Sequence, residues 1–471
     1  MSASSRIAVA GLLLGLTLMA LPAHAQETRL AAEFRREKEH LQESCGLSFK
    51  QVTGCVTGLV TGSPLHVALG SLAPQNGFAL GAAFGTSHAP NETWRLSWSA
   101  DAVHTLGNSW RAGAFMKLIH TPSPVITLAA PSSTTGPTDD LAVRPHTIIS
   151  LYTQATSLER VSYFGLGPSS ARSDKAVYGL RHIVAGGSVI APVNGWQPAR
   201  RLNLSVVAEL NARFFTVRDG TSDDVPPVST RFSRATAPGL DDQPAFFQMG
   251  EGVRLMPRIG RYFGLNYLLG TQQFVAADEH SSFQRWRLDL GHDITFYGTS
   301  RPADVRDTNT PNDCATSPGA DRCAPVSRNR RGSLNLRVLY LTSSTASGQQ
   351  VPFYLQPTLG GSDINGRPSL PSYEDYRFRA PNLLLLQQTV EHSIWGPVGA
   401  WLQADEGQVA LARGDLWLGS LKRTIAAGLT IRAGGFPMLV VSYATGGGEG
   451  HHVAFTMSTS LLGGSSRPPL D

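Results

Sequence analysis

Trp94-Arg95-Leu96-Ser97-Trp98-Ser99-Ala100-Asp101-Ala102, then Leu106-Gly107-Asn108, then Trp110-Arg111-Ala112-Gly113-Ala114-Phe115-Met116-Lys117-Leu118 is the stretch that decides the fold. Read with a period of two, Trp94, Leu96, Trp98, Ala100 and Ala102 share one face, and Arg95, Ser97, Ser99 and Asp101 share the other. The second run sets Trp110, Ala112, Ala114, Met116 and Leu118 against Arg111, Gly113 and Lys117. Alternation of this kind marks a strand with one apolar face, and the Gly-Asn turn joins the two runs into a hairpin. Each arm is about ten to twelve residues long, the reach of a tilted strand that crosses a bilayer.

Working outward, similar runs recur at 178–190 and 202–214 across Asn194-Gly195, and at 247–255 and 262–275. Further runs fall at 286–296, 333–341, 383–390, 400–411, 425–433, 438–444 and 453–461. Loops rich in Pro, Ser and Asp, near 121–145, 218–244 and 299–330, interrupt shorter turns. The expectation is long loops on one side and short turns on the other, as in an outer-membrane barrel. A soluble sandwich or propeller would space its turns evenly, every 8–12 residues. The predicted fold is therefore all-β, a transmembrane antiparallel β-barrel of about sixteen strands over residues 46–471.

The composition agrees. Only 16% of the 471 residues are charged and 41% are hydrophobic, with a mean hydropathy of −0.09. Low charge argues against disorder, and the lack of any long apolar run beyond the first 25 residues argues against a helical membrane protein. A barrel resolves this, because alternating strands need only half their side chains to be apolar.

Residues 1–25 read as a signal peptide: Arg6, an apolar core at 7–21, Pro22, and the small-x-small site Ala23-His24-Ala25. Residues 26–45 read as a short periplasmic lead-in helix, with Leu30, Phe34 and Leu41 on one face. Export to an oxidising compartment makes Cys45, Cys55, Cys314 and Cys323 disulfide candidates, paired locally as 45/55 and 314/323. Their spacing does not suit zinc, and no metal or cofactor is expected. A net charge of +5 gives no footprint for nucleic acid.

Tyr163-Phe164-Gly165-Leu166-Gly167-Pro168-Ser169-Ser170, followed by Tyr178-Gly179-Leu180-Arg181, resembles a stretch of the bacterial surface antigen superfamily. These are the outer-membrane protein assembly and translocation factors. Leu359-Gly360-Gly361-Ser362-Asp363 with Tyr373-Glu374-Asp375-Tyr376-Arg377-Phe378-Arg379 is similar to that family's long loop. Leu402-Gln403-Ala404-Asp405-Glu406-Gly407-Gln408-Val409 and Ala427-Gly428-Leu429-Thr430-Ile431-Arg432 look like two of its strands. Three departures stand out, one being that Leu461-Leu462 is followed by a polar tail, residues 463–471, where the family closes on an aromatic residue. Leu370-Pro371-Ser372-Tyr373 occupies the place of the family's Arg-Gly loop tip, and the 40–50 residues after Ala25 are shorter than one periplasmic polypeptide-transport-associated domain.

The resemblance implies a loop that folds into the lumen and locks on the inner wall. The lock candidates are Arg367, Tyr373, Arg377, Phe378, Arg379 and Asp405. Asp405 alternates with Gln403 and Gly407, so it is the first expected partner of Arg377, with Arg367 and Arg379 as substitutes; Lys175 is expected to take no part. A solvated surface loop is the alternative. No G-x-S-x-G, H-E-x-x-H or phosphate loop is present, and His451-His452 reads as a polar turn. The implied function is non-enzymatic help in inserting or translocating protein or lipid at the outer membrane. Its expected partners are outer-membrane lipids and client outer-membrane proteins, with the oligomeric state left open. A passive channel for small solutes and a lipolytic barrel are the alternatives.

Overall fold

The computed structural model describes residues 65–120, 146–259, 262–278, 280–301, 328–395, 398–433, 436–457 and 470. The signal peptide at 1–25, the helix at 26–45 and all four cysteines lie outside these residues.

Within them the chain is a meander of sixteen strands. They are β1 (Leu65–Ser71), β2 (Phe78–His88), β3 (Trp94–Thr105), β4 (Trp110–His120), β5 (Thr147–Tyr163), β6 (Ala176–Pro192), β7 (Leu204–Asp219) and β8 (Phe246–Leu255). There follow β9 (Phe263–Ala276), β10 (Phe283–Arg301), β11 (Arg328–Ser344), β12 (Asn382–Trp395), β13 (Val398–Ala410), β14 (Lys422–Ala433), β15 (Phe436–Thr445) and β16 (His451–Met457). Every strand pairs antiparallel with the one before it. The last strand returns beside the first, so the sheet curls into a barrel.

The period-two reading explains which way each side chain points. On β7, Ser205, Val207, Glu209 and Asn211 are buried inside, while Val206 and Leu210 face outward and are exposed. On β8, Gln248 is buried, whereas Phe247, Met249 and Val253 are exposed. Asp101 and Arg111 of the β3–β4 hairpin are likewise buried and hydrogen-bonded to each other. Polar groups line the interior and apolar ones cover the outside. This reverses a soluble protein and suits a wall in contact with lipid.

Three expectations are corrected. First, β1, β2 and β5 are strands that alternation did not reveal. Second, the long connections do not share a side. In a meander successive connections alternate ends, so 121–146 and 302–327 leave from the end opposite 220–245 and 345–381. Third, His451 and His452 do not form a turn; they open β16 and pair with Thr445 and Ala444.

Candidate functional site: a loop folded into the barrel mouth

The β11–β12 connection, residues 345–381, turns back on itself before it meets the wall. Thr358–Leu359 pairs with Phe378–Arg379, the Tyr376 N–H donates to the Gly360 carbonyl at 3.0 Å, and Ser369 N–H donates to Gly361 at 2.9 Å. Gly361 has φ +57, and a Cβ there would meet the Asp375 backbone at 2.7 Å, so only glycine lets the two arms approach. Asp363 caps the tip by accepting the Asn365 and Arg367 N–H groups at 2.9 and 2.8 Å. Leu370 and Tyr376 hold positive φ of 49° and 61°. Non-glycine residues keep such angles only where their surroundings enforce them.

Those surroundings are the barrel mouth. Arg377 Nε donates to Glu449 at 2.9 Å, and its Nη atoms donate to the Ser170 hydroxyl at 3.0 Å and the Ser170 carbonyl at 2.8 Å. Its guanidinium also lies over the Phe164 and Phe378 rings, 4.9 and 4.5 Å from their centroids. One buried cation thus joins the loop to the β15–β16 turn and to the β5–β6 connection. Arg379 donates to the Phe353 carbonyl at 2.6 Å amid the rings of Tyr163, Tyr178 and Phe353. The Tyr373 hydroxyl donates to Gly447 at 2.9 Å and its ring packs edge-on against Phe378. Glu374 accepts from Arg172 at 2.7 Å and from Lys175.

Tyr373, Arg377, Phe378 and Arg379 therefore gather at this mouth, but the pairing differs from expectation. The carboxylate facing Arg377 is Glu449, not Asp405. Glu449 sits on a rim turn level with the loop. Asp405, on β13, instead accepts the Leu370 N–H at 2.9 Å and Gln403 Nε2 at 2.6 Å. Arg367 gives its side chain to the wall of a lumenal cavity of about 1410 Å³ that also involves Arg254, Arg287, Asp289 and Arg337. Across that wall Arg337 grips Asp289 with bonds of 2.7 and 2.8 Å. Lys175, expected to take no part, is a partner of Glu374.

Sequence reasoning missed Glu449, Ser170, Phe164 and Arg172. The one available signal was Glu449 itself, a lone acid within Gly446-Gly447-Gly448-Glu449-Gly450. All four of those glycines take positive φ, so the turn projects that carboxylate at a fixed point. Burial would push Glu374 up, but the hydrogen bonds and charges of Lys175 and Arg172 outweigh it and hold the carboxyl below its ordinary value. For its neighbour Asp375 burial wins over the Ser362 N–H, and the carboxyl is raised. Among the described residues no group of three or more His, Cys, Asp or Glu is placed to hold a metal ion.

No protein-family profile matches the chain, and no characterised protein matches it by sequence. Solved structures do match the chain, among them the following three. CdiB from Acinetobacter baumannii aligns with TM-score 0.46 and 11% identity over 83% of this chain and 58% of its own. BamA from Haemophilus ducreyi lacking POTRA domains 1–3 aligns with TM-score 0.45 and 11% identity, over 83% of this chain and 69% of its own. CdiB from Escherichia coli gives 0.43 and 11%, over 81% of this chain and 58% of its own. The chain thus spans somewhat more than half the length of the CdiB chains it matches.

Proposed function

We propose that the chain is a non-enzymatic barrel of the bacterial outer membrane that aids insertion or translocation of protein or lipid, as its resemblance to the surface antigen superfamily implies. Client outer-membrane proteins and membrane lipids are its partners in this reading. The observation that carries it is the inward-folded loop, fastened by Arg377 to Glu449 and Ser170, which occupies the mouth that a simple diffusion channel would keep clear. Apolar side chains outside and polar ones inside support the membrane placement.

A passive channel is the second reading, and the lumenal cavity of about 1410 Å³, lined by arginines and carboxylates alike, speaks for it. Single-channel recording separates the two. A loop-filled barrel gives small, flickering events, whereas steady large steps would favour the channel. Lipid and protein profiling of outer membranes from a deletion strain then tests the proposed task. Unchanged outer-membrane protein and lipid content would count against it.

A further inference from the structure

A second piece of chain reaches the inner wall, far along the sequence from the loop. Leu470 is 1% exposed and packs on Val207 and Leu268. Its N–H donates to Glu209 Oε2 at 3.1 Å, and its carbonyl accepts from Arg287 Nη1 at 3.1 Å. Inward-facing glycines make the room. Ideal Cβ atoms on Gly250, Gly252 and Gly270 would lie 2.8, 3.1 and 2.9 Å from the Leu470 methyl carbons. Gly252 and Gly270 are direct partners across β8 and β9, and Gly250 faces Glu209 across β7 and β8. Three glycines at adjoining inward positions cut a pit into the wall.

The polar rim of the pit is fixed. Glu209 Oε1 accepts from Gln248 at 2.6 Å and Gln272 at 2.9 Å, and Oε2 meets the incoming main chain. Arg287 is steadied by Asp289 at 2.8 Å and turns Nη1 to the carbonyl. A carboxylate for an N–H, a guanidinium for a C=O, and a pit between them read a generic backbone together with one apolar side chain. Nothing in the arrangement is peculiar to residue 470 beyond its leucine.

We propose that this recess is a recognition site for a peptide segment presenting a leucine-sized side chain, and that the chain's own Leu470 fills it as a tethered, displaceable competitor. The inference rests on the recess alone and holds whatever task the barrel performs. Tethering gives the resident leucine a high effective concentration, so a peptide added in trans sees the site only when the resident is removed.

The test uses the full chain in detergent and a fluorescein-labelled peptide of the sequence at 465–471, read by anisotropy. Leu470→Asp empties the pit and binds the peptide at least tenfold more tightly than the unaltered chain. Adding Gly270→Val to Leu470→Asp fills the pit and lowers that affinity at least tenfold, as does replacing the peptide's leucine by alanine. Should Gly270→Val prevent folding, the alanine peptide carries the same comparison on Leu470→Asp alone. Failure of Leu470→Asp to bind, equal binding by the unaltered chain, or indifference to both pit-filling and the alanine peptide overturns the proposal.

Discussion

Two stretches of chain that belong to no barrel strand enter this lumen, and they are held differently. The loop at 345–381 is fastened by buried or half-buried charges to two other connections, with aromatic rings packed between them. Leu470 is held by one side chain in a glycine pit and two main-chain bonds. The first set is geometrically demanding, because each planar donor must meet its own acceptor, and it costs much to break. The second asks only for an apolar group of the right size. Fixture and occupant are thus distinguishable by the chemistry of their contacts.

The largest effect should come from the fixture. Arg377→Ala leaves Glu449 facing a void and strips Ser170 of its donors. Losing one partner of a buried pair costs about 3–5 kcal/mol, and the 18% side-chain exposure of Glu449 places this case at the lower end. The guanidinium unfolding midpoint should fall and channel conductance should rise; an unmoved midpoint would show that the loop is merely lodged. Gly361→Ala comes next. It combines a positive φ with a collision against the Asp375 backbone, a cost on the order of 2 kcal/mol, and thermal unfolding monitored on a gel reads it.

A pH experiment probes the same rim more gently. Because Glu374 is held below its ordinary value when folded, the unfolded chain binds the extra proton. Its contribution is complete above the normal carboxylate range, near pH 4.3, and fades as pH drops through the lower folded value. Glu374→Gln should flatten this acid-side loss, and high salt should weaken it too, since Arg172 is half exposed. The smallest effect belongs to Leu470→Ala. Leu470 belongs to no strand ladder, so its loss should lower stability by about 1 kcal/mol, well short of Arg377→Ala. A shift as large as that of Arg377→Ala would erase the contrast between the two stretches.

What could be read in the sequence follows the strength of its alternation. The β3–β4 hairpin was legible because tryptophans and leucines mark one face. On β2, Phe78, Leu80, Ala82 and Phe84 alternate with Ala79, Gly81, Ala83 and Gly85, which are small rather than polar, so no polar face marks the strand. Loop sides were misjudged because a connection's length does not reveal its end; that requires every strand to be counted, and β1, β2 and β5 went uncounted. The buried Tyr373, Arg377, Phe378 and Arg379 were legible through a family resemblance, while Glu449 was not, since only the curled sheet brings positions 72 apart together. The Leu470 recess was invisible for another reason. Its essential feature is three missing side chains, and a glycine on a strand carries no mark of what will fill its space.

The rim fastening also has a consequence in time. Strand pairings here join neighbours in sequence, so each can form soon after its second strand is present. The loop's bonds are of another order: Glu374 reaches back 202 positions to Arg172, and Glu449 lies 277 positions beyond that same arginine. A chain arrested at Thr445 would own every strand but the last and still offer Arg377 no carboxylate. The guanidinium of residue 377 therefore finds its carboxylate only once the connection between β15 and β16 is in place in the barrel.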